Sequence, residues 1–168
     1  ARRELHTGRL NFLHRSWGPL EPFDDSMPAI LRAKGVTSHL ITDHYHYFEE
    51  GGCDYHTKYS SWENSRGQEG DPWKCDLRLK ELPESDNNLH RKGPWMRQDW
   101  VNRSYMEQEE NQPQPTTFRM GEDFLRTNGG EDNWFLHLET FDPHEPYFSP
   151  QRFKDLYPHD YKGPHWDW

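Results

Sequence analysis

Two short stretches set histidines beside carboxylates, side chains able to move a proton at neutral pH. One is Asp43-His44-Tyr45-His46 and the other is Asp142-Pro143-His144-Glu145. An imidazole with an ordinary pKa near ~6.5 can protonate a leaving oxygen or accept a proton from a nucleophile. Each stretch follows an apolar, β-rich run, Val36 to Thr42 and Trp134 to Thr140. A third stretch is basic: Arg2, Arg3, Arg9 and Arg15 stand against a single acid, Glu4, in residues 1 to 15. Guanidinium groups present fixed charge and forked donors, which suit a small oxyanion.

These residues need elements that bring them together. Arg2 to His6 is helix-forming and Gly8 is a stop signal. A short helix therefore opens on Arg2, with the positive end of its dipole favouring an anion. A second helix is expected from about Ser26 to Lys34. Asp24, Asp25 and Ser26 supply its N-cap chemistry, Pro28 suits its first turn and Gly35 stops it. Met27, Ile30 and Leu31 give it a buried face. Val36 to Thr42 reads as a buried strand and Tyr55 to Trp62 as a short edge strand. Arg66 to Trp73 reads as an ordered aromatic loop. Two further helices are expected, about Trp95 to Glu109 and Thr116 to Arg126, separated by Gln112-Pro113-Gln114-Pro115. Phe118, Phe124 and Leu125 form a buried stripe on the second, which Asn128-Gly129-Gly130 ends. Trp134 to Thr140 is a strand and Pro150 to Leu156 a short helix. Trp166-Asp167-Trp168 carries no stop signal, so the natural chain is expected to continue.

The order gives an α/β domain with a mostly parallel sheet flanked by helices. In an open parallel sheet, ligands bind beyond the carboxyl ends of the strands. Both histidine turns then face one crevice, and the basic helix can present its positive end there too.

Composition narrows the partners. Of 168 residues, 31% are hydrophobic and the net charge is -9, values that lean towards disorder. The 15% aromatic content argues for a folded piece instead, because Trp, Tyr and Phe bring large burial energies. The acidic balance argues against nucleic acid as a partner, and no apolar run approaches a membrane span. Cys53 and Cys75 read as two unpaired thiols; a disulfide between them would require an exported protein. Asn102-Arg103-Ser104 fits a glycosylation sequon. A zinc site from His44 and His46 with Cys53 or Cys75 is a rival reading, although the spacing matches no familiar finger.

Ala1, Arg2, Leu5, Thr7, Gly8 and Arg9 resemble the back two-thirds of the sulfatase signature, Cys/Ser-x-Pro-Ser/Ala-Arg-x-x-Leu-x-Thr-Gly-Arg. Gly35-Val36-Thr37-Ser38 resembles the family's helix-to-strand entry. Asp43-His44-Tyr45-His46 resembles its Gly-Lys-x-His strand end, with Asp43 for Gly and His44 for Lys. That alignment shifts the spacing by one residue; without the shift Asp43 stands for the Lys and Tyr45 for the His. Trp134 to Tyr147 is similar to the family's apolar strand ending in Pro-His-x-Pro, with His144 on the His. Gln151 to Tyr157 is similar to the short helix that follows. Residues 53 to 115 match nothing in the family.

The resemblance implies an alkaline-phosphatase-like fold, with residues 1 to 168 forming part of one incomplete sulfatase catalytic domain. It implies hydrolysis of a small-molecule or glycan sulfate ester by a formylglycine nucleophile three residues before Ala1. It implies a Ca²⁺ whose ligands lie outside this chain, and a periplasmic or secreted protein. Asp24-Asp25 follows the signature and is not that family's metal pair. Arg2, His46 and His144 are the expected catalytic residues, and His44 and Arg9 the expected substrate-binding ones. Thr7 and Arg9 also support the nucleophile turn. Asp43 and Asp142 are expected to orient neighbouring histidines. His6, His14, His56, His90, His137, His159 and His165 read as ordinary surface or half-buried residues. Trp62, Trp73 and Trp95 are candidates for a sugar-binding rim. The alternatives are a phosphate or phosphonate ester hydrolase of the same superfamily, and a non-catalytic relative that binds without turnover.

Overall fold

β1, Thr37–Thr42, is the middle strand of a three-stranded sheet, with β2, Ser61–Asn64, on one side and β3, Trp134–Glu139, on the other. Both pairings are parallel: Leu40 stands opposite Trp62 and His137, and Thr42 opposite Asn64 and Glu139. All three strands therefore end at one edge. The computed structural model describes residues 1–10, 18–49, 54–79, 82, 94–144, 147 and 149–162.

The pleat sends alternate side chains to opposite faces. Leu40 and its register partner His137 share one face, with Thr42 and Glu139 beside them. Leu40 packs there with Tyr47, Tyr55 and Tyr59 in a small, largely aromatic core, flanked by Leu20 and Phe135. Two helices belong to this region: α1, Arg2–Thr7, packs on α2, Met27–Ala33, and α2 packs on β1. α1 ends at Gly8 in the left-handed region (φ 66°), as its stop signal requires.

The other face meets α4, Pro113–Asn128. His39 stacks on Phe124 at 5.1 Å, and Leu138 comes so close to Gly121 that a Cβ there would stand 2.5 Å from its Cδ1. α3, Pro94–Arg103, lies instead against the 66–73 loop, and α5, Gln151–Lys154, follows β3. Helices thus flank a parallel α/β sheet, as the pattern of elements predicts.

Several expectations need correction. Gln112-Pro113-Gln114-Pro115 opens α4 instead of separating two helices, because the first N–H groups of a helix have no internal partner and Pro lacks one anyway. The buried side of α4 is Pro113, Thr117 and Gly121, whereas Phe118 and Leu125 are half exposed. Close helix–sheet approach selects small residues there. On α2, Pro28 is buried and Ile30 is 49% exposed. α3 stops at Arg103, where the Ser104 hydroxyl bonds back to the Val101 carbonyl. β2 starts only at Ser61, because Tyr55–Lys58 winds into a 3-10 turn that drives Tyr55 and Tyr59 into the core. Ser26 makes no side-chain cap bond, and Asp24 is bound to Arg3.

The 66–73 loop is ordered by its own polar contacts. Arg66 donates to both carboxylate oxygens of Asp71 at 2.7 Å, and the Gly67 amide donates to Oδ2 at 2.8 Å. Asn102, fully buried, donates to the Asp71 carbonyl and accepts from Gln98. Its amide is therefore closed to a glycan in the folded protein. Cys75 is an exposed free thiol; Cys53 lies outside the described residues, as do Trp166 to Trp168.

Candidate functional site

Phe141 is the hub of the strand-end edge. It follows β3, and its ring stacks on His44 (4.6 Å between centroids), meets His144 at a tilt (4.2 Å) and meets His46 edge-on at 6.1 Å. The His44 and His46 rings are 4.9 Å apart. The two histidine turns thus converge on one spot, as the strand-end argument predicts. Asp43 ties them together at the backbone: its Oδ1 accepts from the Phe141 amide at 2.7 Å, joining the segment after β1 to the segment after β3. The Asp142–Pro143 peptide is cis.

The histidines differ electrically. His44 is buried and its Nδ1 has no hydrogen-bond partner. Burial, with smaller effects from Arg2, His46 and His144, pushes its pKa down to about 2, so it is a neutral ring. His46 faces two carboxylates, with Nε2 3.1 Å from Glu69 and Nδ1 2.5 Å from Glu49. The hydrogen bond to Glu69, then that to Glu49, raises its pKa against desolvation. Both ring nitrogens then donate. Burial pushes Asp43 up to about 7, although the Phe141 amide pulls the other way. Its Oδ2 has no partner.

Arg2 reaches this edge from α1. Nε donates to Glu139 Oε1 at 2.8 Å, Nη2 donates to the same oxygen, and the guanidinium lies 5.0 Å from the Tyr47 ring centre. The Tyr47 hydroxyl donates to Glu139 Oε2 at 2.6 Å. Nη1 takes no part in the Glu139 pair. Desolvation opposes the charge on Arg2, but Tyr47 and Glu139 outweigh it and the pKa stays raised.

Behind Glu139 runs a polar chain through the core. His137 Nε2 lies 3.8 Å from Glu139, the Tyr59 hydroxyl contacts His137 Nδ1, and His6 bridges Tyr59 at 3.3 Å and Ser26 at 3.0 Å. His6 is therefore no surface residue: it is 2% exposed, and burial lowers its pKa to about 4.

Of the expected site residues, Arg2, His44, His46 and His144 come to one edge. Arg9 does not join them; its exposed side chain lies 3.7 Å from Asp24, beside the Arg3–Asp24 pair. Asp43 bonds the Phe141 amide and Asp142 accepts from Gln68 at 2.9 Å, so the hydrogen bonds that hold them run to groups other than the histidines. Glu139, Tyr47, Phe141 and Glu69 are the participants sequence reasoning missed. Glu139 carried the clearest signal, a carboxylate at the end of an apolar strand.

Among the described residues no group of three or more His, Cys, Asp or Glu side chains is placed to hold a metal ion. His44, His46 and Cys75 form no such group. Asp24 is engaged by Arg3, and Asp43 is pushed towards its neutral form. No helix among the described residues is long and apolar enough to cross a membrane.

Two cavities flank the Asp142 turn. One of about 420 Å³ lies between the 66–73 loop and α3; the other, about 350 Å³, lies against His144, Tyr147 and Phe153. Both volumes fall in the range of small-molecule sites. Comparison with protein-family models, curated proteins and solved structures returns no match for this chain.

Proposed function

We propose that this chain is part of a sulfatase-type hydrolase with an alkaline-phosphatase-like fold, and that the Phe141 edge is the site of sulfate-ester hydrolysis. The observation that supports the reading most is the convergence of Arg2, His44, His46 and His144 at the carboxyl ends of two parallel strands. An ester of this kind needs fixed positive charge where charge develops on the transferring group and the leaving oxygen. Arg2, clamped by Glu139, supplies one such charge without reorganising. His46, kept protonated by Glu69 and Glu49, supplies a second.

In this reading an oxygen nucleophile attacks sulfur while the bond from sulfur to the leaving oxygen breaks. The proton that the leaving oxygen requires comes from His144, or from His46 Nδ1 once its exposed hydrogen bond to Glu49 opens. Neutral His44 keeps solvent from the inner wall and can donate one N–H to a sulfate oxygen. Arg9 supports the turn that carries the nucleophile. The nucleophile is expected three residues before Ala1, where a formylglycine hydrate would supply the attacking oxygen. A Ca²⁺ held by residues outside this chain would supply further positive charge to the site.

The test is an assay of the protein that includes the residues preceding Ala1, against paired aryl sulfate and aryl phosphate esters. Sulfate turnover should exceed phosphate turnover, and the third residue before Ala1 should be Cys or Ser. Preferential phosphate turnover would move the site to phosphoryl chemistry. No turnover of either ester, with another residue at that position, would leave a binding module.

A further inference from the structure

Behind the clamp on Arg2, the polar contacts close into a ring. Arg2 and His6 stand four residues apart on α1, so they leave the same face of the helix. Arg2 reaches Glu139 directly. His6 reaches the same strand through Tyr59 and His137, and His137 stands two residues before Glu139 on one face of β3. α1 is thus referenced to β3 at two points. A slide or roll of the helix that moved the guanidinium would also have to break the His6–Tyr59–His137 side. His6 holds the Ser26 hydroxyl as well, at 3.0 Å, where α2 begins.

The direction of this chain follows from its end. Burial lowers the pKa of both His6 and His137, for His137 against the pull of Glu139, so both rings are neutral at neutral pH. Each then has one N–H and one lone pair. Burial raises the Tyr59 hydroxyl, which keeps its proton. Glu139 is the counter-ion of Arg2 and can only accept. His137 Nε2 lies 3.8 Å from Glu139 Oε2, a charge contact longer than a hydrogen bond. The carboxylate attracts a proton on that nitrogen and repels a lone pair. With the proton on Nε2, Nδ1 accepts from the Tyr59 hydroxyl. The Tyr59 oxygen then takes the N–H of His6 Nε2, and His6 Nδ1 accepts from Ser26. Reversing either ring alone would set two donors or two lone pairs face to face.

We propose that His137 and Tyr59 are positioning residues for Arg2: the His6–Tyr59–His137 chain fixes the ring that steadies Glu139, and with it the guanidinium at the strand-end edge. That this charge serves ester hydrolysis rests on the reading above; the positioning does not. The same helix supplies the reference. Arg3 is held by Asp24, outside the chain, and so should not feel its loss.

The test is NMR on the full protein. At neutral pH, long-range proton–nitrogen spectra should show His6 and His137 as neutral rings with the proton on Nε2. Tyr59→Phe keeps the aromatic ring and removes the hydroxyl. It should speed solvent exchange of the Arg2 Nε–H by about two- to tenfold, the weight of one hydrogen bond. The Arg3 Nε–H should keep its rate. In protein that turns over the ester, the same variant should lower kcat by a similar factor and leave KM unchanged. A His137 proton on Nδ1, or a cationic His137, would overturn the proposal. So would equal acceleration at Arg2 and Arg3, no acceleration at Arg2, or a rise in KM alone. If the variant does not fold, the tautomers of the unsubstituted protein decide. Acceleration at Arg2 alone, in a protein without ester turnover, would remove the hydrolase reading and leave the positioning role standing.

Discussion

Arg2 and Arg3 are neighbours on one short helix, and each forms an ion pair with a distant carboxylate. Arg3 grips Asp24 through two bonds, Nε to Oδ2 at 2.7 Å and Nη2 to Oδ1 at 3.0 Å. That pair is nearly sealed: the side chains are 8% and 0% exposed. Asp24 also accepts from the Glu21 amide, so the pair anchors α1 to the segment before α2. Arg2 points about 100° away around the helix. It meets Glu139 at the strand-end edge, where the side chains are 25% and 17% exposed. The same residue type thus serves two ends, one locking the helix in place and one presenting charge beside three histidines. Sequence shows two adjacent arginines; the direction of each side chain decides its work.

The largest test exchanges the two roles. Arg2→Ala removes charge at the edge but leaves the helix anchored. Turnover of the proposed ester should fall about 10²–10³-fold, the cost of losing one fixed transition-state contact, about 2.7–4 kcal/mol. The unfolding midpoint should fall as well, though less than in Arg3→Ala, because Glu139 loses its counter-charge but keeps the Tyr47 hydroxyl as a donor. Arg3→Ala should do the reverse, lowering the midpoint more than any other change discussed, because Asp24 would keep its burial and lose its forked partner. Denaturant unfolding and turnover measured on both variants make the comparison. Equal losses of turnover with equal losses of stability would show that the two pairs are not distinct.

Glu139 sharpens the same contrast. It accepts from both Arg2 and Tyr47, whose hydroxyl is pushed above its usual range first by burial and then by Glu139 itself. Glu139→Gln keeps the shape and one acceptor but removes the charge that holds the guanidinium. Stability should fall by about 1–3 kcal/mol, as expected when a partner of a buried charged hydrogen bond is lost. Turnover should fall roughly tenfold, with the loss in kcat, because a positioning residue fixes Arg2 without touching substrate. A loss confined to KM would place Glu139 in substrate binding instead.

Much of this architecture is legible locally. Gly8 and Gly35 mark helix ends, and the runs before Asp43 and Asp142 mark strands, because turn chemistry and β-branched runs act over a few residues. The convergence of the two histidine turns follows from parallel strands alone. What is not legible depends on contacts across the fold. Asp24 reads as a helix cap until Arg3 is seen against it, 21 residues away. Arg2 finds Glu139 at a separation of 137. The buried face of α4 is hidden because Thr117 and Gly121 look unremarkable beside Phe118 and Leu125. Only the close approach of Leu138 selects the small residues. Glu69 sits in a stretch with no pattern to place it, and its pairing with His46 is set by the loop that Arg66 and Asp71 fold.

The smallest effect contrasts two histidines two positions apart in the chain. His46 gains partners on folding, so its folded pKa is raised above the unfolded value near ~6.5. Its contribution to stability is fully present below that value and is lost as pH rises through the folded pKa. His44 runs the other way. Its pKa is lowered to about 2 by burial, so it favours the fold above the unfolded value and opposes it as pH falls below ~6.5. His46 is partly open to solvent, so screening should hold its share to under about 1 kcal/mol. NMR titration of the imidazole protons between pH 4 and 9 separates the two. The His46 signals should move at a pH above ~6.5, and those of His44 should stay fixed down to pH ~4. Glu69→Gln should bring the His46 midpoint down while leaving His44 silent. A titrating His44, or a His46 midpoint that ignores Glu69, would mean that one ring does not sit in the cluster as described. The charge division within the first histidine turn would then have to be redrawn.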